Sequence, residues 1–171
     1  GLAEIIIPPT PGVLSAFGGL VANIRNDFIR TVMVDVNNKG LKSILVSVKT
    51  LEEEATSWLR DEQGFKGKSE LLWSCDMRYR GQSFEIETIV KQSWLYDSSS
   101  EQIKAAFHEA HHQVYDHSDD HAEVQIVNLR LVIVGTVPKP SLPMIKERKS
   151  LATPSKNVKV HIDGNHHEAD V

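Results

Sequence analysis

A single cysteine, Cys75, is all the thiol chemistry that the 171 residues carry. One thiol cannot close a disulfide framework, and it suits a reducing compartment, so the sequence points to the cytoplasm. Long apolar runs are missing too. None approaches the roughly 20 residues needed to span a bilayer, so no membrane association is expected. The start, Gly1-Leu2-Ala3-Glu4, has neither an initiator methionine nor a basic region ahead of an apolar stretch. The expectation is a processed chain or a piece of a longer one, without a signal peptide. Basic charge is not in excess either: 19 Lys plus Arg against 23 Asp plus Glu leave a net charge of −4. A protein devoted to neutralising phosphates would look different, and no nucleic-acid partner is expected.

Proline is absent from Gly12 to Val137, while Pro8, Pro9 and Pro11 precede that stretch and Pro138, Pro140, Pro143 and Pro154 follow it. This reads as one folded body between proline-marked boundaries. A body of that length buries roughly two-thirds of its unfolded surface and needs no metal to fold. After Val137 the composition turns basic, with Lys139, Lys146, Arg148, Lys149, Lys156 and Lys159 against Glu147. The organisation expected is an α+β domain over 1–137, a basic proline-containing linker over 138–157, and the start of a further element over 158–171, where Val158, Val160 and Ile162 alternate.

Within the body, Thr10-Pro11 opens a helix, and Leu14, Phe17, Val21, Ile24 and Phe28 follow at helical spacing. The pair Gly18-Gly19 inside it costs about 1 kcal/mol per glycine, which suggests close backbone packing. Val32, Val34 and Val36 alternate as a strand. From an Asn38 cap, Leu41, Ile44, Leu45, Val48, Ala55, Trp58 and Leu59 keep helical period. Leu71, Trp73, Cys75, Met77 and Tyr79 then share one strand face, with Asp76, Arg78 and Arg80 on the other. Gly81-Gln82 reads as a two-residue hairpin turn, returning Phe84, Ile86, Thr88 and Val90 on one face. A third helix, capped by Ser98–Ser100, carries Ile103, Phe107, Ala110 and Val114. The last strand sets Val127, Leu129, Leu131 and Ile133 together. Apart from the first helix, the order is β-α-β-β-α-β. The predicted class is α+β, a ferredoxin-like antiparallel sheet with helices on one face and an extra N-terminal helix.

All eight histidines lie after residue 107. His108-Glu109-Ala110-His111-His112 spells H-E-x-x-H, which on a helix sets His108 and His112 one turn apart around a zinc ion, with Glu109 as base and His117 or His121 as a third ligand. The bland alternative is a chance match in a histidine-rich stretch. Gly67-Lys68-Ser69 imitates the end of a phosphate-binding loop, but Glu62 stands where the first glycine belongs and a strand follows where a helix should. Asp76, Arg78 and Gln82 converge near the hairpin turn. They could clamp a carboxylate, or simply form a solvated ion pair.

Taken together, these segments resemble a known family. Ile6-Ile7-Pro8-Pro9-Thr10-Pro11-Gly12-Val13-Leu14-Ser15-Ala16-Phe17-Gly18, then Asp76-Met77-Arg78-Tyr79-Arg80-Gly81-Gln82, then Phe107-His108 through His111 to Tyr115, then Val127-Asn128-Leu129-Arg130 follow in the order of the hydantoinase A / 5-oxoprolinase family. His161-Ile162-Asp163-Gly164 resembles the start of its closing segment. One departure is Asp116, where the family has glycine after the tyrosine.

The resemblance implies the C-terminal domain of a longer enzyme that couples ATP hydrolysis to opening a cyclic amide, inactive alone and shaping an interface. It also implies ATP and a divalent metal in the full-length enzyme with no cofactor in this stretch. The implied partners are the N-terminal ATPase domains of the same chain and a hydantoinase B-type subunit or domain. The site candidates it implies are Arg78, Tyr79, Gly81, Gln82, His108, His111 and Tyr115, as substrate or interface residues. Two other classes stay open: a free-standing ferredoxin-like interaction module, and a small zinc hydrolase using His108, Glu109 and His112 with His117.

Overall fold

The computed structural model describes residues 11–140 and 155–170, with side chains up to Ala169. Pro8, Pro9, the Thr10 cap, the start of the first family block and residues 141–154 of the basic stretch lie outside the described residues. The chain forms two compact units, Gly1–Lys139 and Pro140–Val171.

In the first unit a 3-10 turn, Pro11–Val13, leads into helix α1, Leu14–Val21, and strand β1 runs Ile24–Asp35. The single helix expected to reach Phe28 is therefore divided. Ile24 and Phe28 lie on β1, whose ladder with β4 spans Ile24 to Asp35. That pairing overrides the local helical spacing of two residues. Nothing lies within 4 Å of the sites where Gly18 or Gly19 would carry a Cβ, so the close packing expected there is absent among the described residues.

Asn37, one residue before the expected cap, accepts the Gly40 amide at 2.9 Å and opens α2, Asn38–Ser43. α3, Leu45–Ser57, continues into a π-helical turn over Trp58–Glu62. The apolar period holds across these segments, with Leu41, Ile44, Val48, Leu51, Ala55 and Leu59 all buried.

β2 spans Ser69–Tyr79 and β3 spans Ile86–Val90. Their ladder ends at Met77↔Ile86, so the connection is longer than the two residues expected. Gln82 donates its amide to the Tyr79 carbonyl at 3.0 Å, and Gly81 has φ +91. Gly81 is thus the third residue of a type II-like turn, where only a positive φ fits. Phe84 is displaced into the connection and is 77% exposed, while Ile86, Thr88 and Val90 keep the inward face.

A short helix without a sequence signal, α4 (Gln92–Tyr96), follows. It buries Leu95 and is tied to α3 through Glu52, which accepts from Gln92 Nε2 and the Tyr96 hydroxyl, each at 2.6 Å. α5, Ser100–Tyr115, buries Ile103, Phe107 and His111. That corrects the expected stripe: Ala110 is half-buried, Val114 is 59% exposed, and the fully buried residue of that turn is His111. β4, Val124–Gly135, completes the sheet. Leu129, Leu131 and Ile133 face inward as expected, but Val127 does not; it occupies a bulge between Ile126 and Asn128.

The lateral order is β1-β4-β2-β3, antiparallel throughout. The unit is α+β, a four-stranded antiparallel sheet with helices in the β-α-β-β-α-β order and an additional N-terminal helix. Each crossover skips one strand, so two split β-α-β units interleave. One sheet face meets α2–α5 in a core built on Trp73, Cys75, Met77, Tyr79, Leu129, Leu131, Ile133, Phe107 and the α3 stripe. Burial pushes the Cys75 thiol up to about 12, and the neighbouring Asp76 charge adds to that.

The second unit is a hairpin of β5, Asn157–Ile162, and β6, Asn165–Asp170. Asp163 and Gly164 form its two-residue turn, with φ +50 and +81. Those values are the type I′ requirement, and Asp-Gly is the pair that meets it. No helix among the described residues is long and apolar enough to cross a membrane.

Candidate functional site

Alternation along β2 sends neighbouring residues of the Asp76–Gln82 block to opposite sides of the sheet. Tyr79 goes inward, against α5. Its ring meets Phe107 edge-on at 4.9 Å, stacks on His108 at 5.6 Å and tilts against His111 at 4.7 Å. His108 and His111 lie three residues apart on α5 and so reach the same patch.

Two hydrogen bonds meet at the Tyr79 hydroxyl. Its oxygen accepts the Asp119 amide at 2.9 Å and lies 2.7 Å from His108 Nδ1. The His108 tautomer with its hydrogen on Nε2 is the one that accepts the tyrosine proton at Nδ1. Burial holds the Tyr79 hydroxyl above its usual range; the Asp119 amide opposes that, and the Asp119 and Asp120 charges reinforce it. His111 is 1% exposed. Its Nδ1 donates to the His117 carbonyl at 2.7 Å, and Nε2 is buried without a partner.

Two hollows flank this cluster. One, of about 330 Å³, is lined by Gln82, Ser83, Phe84, His111, Tyr115 and His117. Gln82 is fixed there because its side-chain oxygen accepts the Tyr79 amide at 3.4 Å. Tyr115 closes α5 with its ring 4.8 Å from His111. Asp116 adopts the left-handed cap, φ +59, that glycine fills more easily, and donates its amide to the His112 carbonyl. The other hollow, of about 490 Å³, is lined by His108, Glu109, His112, Ser118, Asp120 and Ala105. It contains the H-E-x-x-H residues, but Glu109 accepts from Gln113 at 2.9 Å and His117 faces the first hollow. Among the described residues no three His, Cys, Asp or Glu side chains are grouped to hold a metal ion.

The expected convergence of Asp76, Arg78 and Gln82 does not occur. Arg78 pairs with Glu85 at 3.3 Å, and its buried Nε has no partner. Asp76 instead accepts from Arg130 Nε at 2.7 Å and Asn128 Nδ2 at 2.8 Å, and Asn128 Oδ1 accepts from Thr31 at 2.7 Å. This network crosses three strands on the face away from the helices. The Asp76 hydrogen bond is the main reason that the Arg130 guanidinium is held above its usual range. Sequence reasoning had named Asn128 and Arg130 only as part of a family block. The available signal was parity: with Leu129 and Leu131 inward, Asn128 and Arg130 must point outward, toward Asp76. Exposed Ile29, Leu72 and Ile89 share this open face.

Gly67-Lys68-Ser69 does not form a phosphate-binding loop. Gly67 packs against the Phe65 ring, and Gly67-Lys68-Ser69 runs from the π-helical turn into β2 rather than from a strand into a helix. The chemistry offered is therefore a tyrosine–histidine hydrogen-bond unit beside shallow hollows, and a braced polar face on the other side.

A family model described as the hydantoinase/oxoprolinase C-terminal domain matches residues 35–169. An uncharacterized protein of Methanocaldococcus jannaschii is 29% identical over 170 residues, which is 99% of this chain and 24% of that protein. The caprolactamase subunit alpha of Pseudomonas jessenii is 28% identical over 160 residues, 91% of this chain and 22% of that subunit. The solved structure of the ATP-dependent caprolactamase from Pseudomonas jessenii superposes with a TM-score of 0.65 at 25% identity, covering 84% of this chain and 22% of that one. Nucleotide-free acetone carboxylase superposes at 0.72 with 18% identity, covering 96% of this chain and 25% of that one, and shares the fold. The chain thus spans about a quarter of the length of these relatives.

Proposed function

The chain belongs to the hydantoinase/oxoprolinase family, as its C-terminal domain, and from that premise we propose that it serves an ATP-dependent enzyme that hydrolyses a cyclic amide. The similarity to a caprolactamase subunit and to the structure of an ATP-dependent caprolactamase supports this reading. ATP and a divalent metal then belong to other domains of a cytoplasmic enzyme. The present domain lends side chains and surface to the junction with its ATPase domains and a hydantoinase B-type partner.

The observation that carries the junction role is the Tyr79–His108–His111 cluster. It fixes three side chains from two distant blocks against hollows too open to enclose a substrate by themselves. Gln82 and Tyr115 line one of those hollows, Gly81 makes the turn that presents Gln82, and Arg78 offers a separate contact on the opposite sheet face, beside Glu85. A ring amide opened at the expense of ATP has to be held away from bulk water while one positioned water attacks, so on this reading another surface closes over the cluster.

The test is release of the open-chain amino acid from lactams, and of the N-carbamoyl amino acid from hydantoins, by the complete enzyme with and without ATP. ATP-dependent opening of at least one ring is expected. Tyr79→Phe and Gln82→Ala should lower kcat/KM by about tenfold or more, a loss of about 1.4 kcal/mol in transition-state stabilisation. If Arg78→Ala and Gln82→Ala both left activity and subunit assembly unchanged, the junction role would be lost.

A further inference from the structure

Helix α1 does not fit the domain to which it is attached. None of its eight residues, Leu14-Ser15-Ala16-Phe17-Gly18-Gly19-Leu20-Val21, is buried, and none is charged. Leu14 is 49% and Leu20 74% exposed, and Val13 just ahead is 55% exposed. A helix that is apolar all round is normally an interior helix. Eight residues with two adjacent glycines are also too short and too poor in propensity to stand alone in water. The ground in front of Gly18 and Gly19 is open, so another backbone can approach closely there. The family match begins only at residue 35, beyond α1, whereas the similarity to the Methanocaldococcus jannaschii protein covers 99% of the chain.

We propose that α1 is a packing helix for the domain that precedes this one in the longer enzyme, its occupant being the apolar interior of that domain. The inference rests on the family reading, since it takes the three-quarters of the relatives' length outside this chain to include that domain. A family described as a C-terminal domain has its remaining chain on the N-terminal side, the side on which α1 lies. Val13, Leu14, Phe17, Leu20 and Val21 would supply the buried surface, and the glycine pair the close approach. α1 would then join the two domains by belonging to the core of one and the chain of the other.

Thiol labelling in the complete enzyme tests this without reading activity. Cys75 is buried and its thiol is raised to about 12, so it stays silent at neutral pH. Leu14→Cys and Leu20→Cys are compared with Val46→Cys, a site 75% exposed on α3. Each rate is normalised to that of the same variant unfolded in urea and corrected for the parent enzyme. Positions 14 and 20 should react on the order of a hundredfold more slowly than position 46. Equal rates at the three positions would overturn the proposal. Protection that weakens on dilution would also overturn it, because the occupant would then be a second copy. Loss of lactam hydrolysis with protection intact would refute the proposed reaction and leave this inference standing.

Discussion

The two faces of the four-stranded sheet receive alternate residues of the same strands and solve different problems. Toward the helices, Trp73, Cys75, Met77 and Tyr79 of β2 are all within 5% of complete burial, and shape complementarity with α3 and α5 holds them. Toward the open side, Ser74 and Asp76 are almost as inaccessible, yet hydrogen bonds hold them: Ser74 to Glu87 at 2.6 Å, and Asp76 to Arg130 and Asn128. Around that network Ile29 and Ile89 remain exposed. The covered face closes around an apolar core and leaves Trp73 Nε1 and His111 Nε2 buried without partners. The open face has paired Ser74, Asp76 and Asn128, leaves Arg78 Nε without a partner, and keeps its apolar residues in water, as a surface does when it stops short of a second layer.

Substitutions on either face would sharpen or erase that distinction. The largest effect should come from Phe107→Ala, which empties the centre of the covered face and should lower unfolding free energy by about 3–5 kcal/mol in urea titration. Ile89→Ala on the open face should stay within about 0.5 kcal/mol. If the two cost the same, the faces do not differ as described. Next comes Asp76→Ala, with an expected loss of about 2 kcal/mol from removing a carboxylate that accepts two hydrogen bonds. A double-mutant cycle with Asn128→Ala should return a coupling of about 0.5 kcal/mol or more; additive losses would mean that the network is only proximity.

The smallest effect lies at the rim of the covered face. Glu52, by accepting the Tyr96 hydroxyl, pushes that group from 10.0 to about 12, with burial contributing. A raised folded value means that the contact stabilises fully below the ordinary tyrosine range and is lost as pH climbs from about 10 through 12. Tyr96→Phe should flatten stability across that window, and the last tyrosine ionisation should vanish from the alkaline difference spectrum. A tyrosine transition near pH 12 that survived the substitution would assign the shift to another residue.

Much of the fold was legible because β2 and α3 keep strict period over long stretches: Trp73-Cys75-Met77-Tyr79 and Leu41-Ile44-Val48-Ala55 all went where spacing sent them. Misreadings clustered where two periods overlap or a turn intervenes. Ile24 and Phe28 satisfy helix and strand alike, and only partner pairing with β4 decides between them. His111 was missed as an inward residue because a hydrophobicity count ranks Ala110 and Val114 above an imidazole. In the structure, the imidazole fits against Tyr79 and Phe107, and one nitrogen finds a carbonyl. The meeting of Tyr79 with His108 could not be read from spacing at all, since it depends on how α5 lies across the sheet. Asp76 with Arg130 was within reach, because both lie on outward positions of strands that were correctly identified.

The bulge at Val127 carries a further implication. Val124 and Ile126 face the core, and so do Leu129, Leu131 and Ile133, so inward residues are even-numbered before the bulge and odd-numbered after it. β4 behaves as a wave with a half-period phase slip, and Asn128 and Arg130 reach Asp76 only because they lie after the slip. Removing Val127 would only abolish the slip: Asn128 would follow Ile126 directly, Met77↔Ile126 and Asp76↔Asn128 would become neighbouring rungs of a regular ladder, and both halves of β4 would keep their faces. A deletion at any other position inside β4 would leave the slip in place and turn the residues on one side of the cut to the opposite face. The strand therefore tolerates the loss of one residue best at its bulge, and relatives that differ there by one residue can still share the same inward and outward sets.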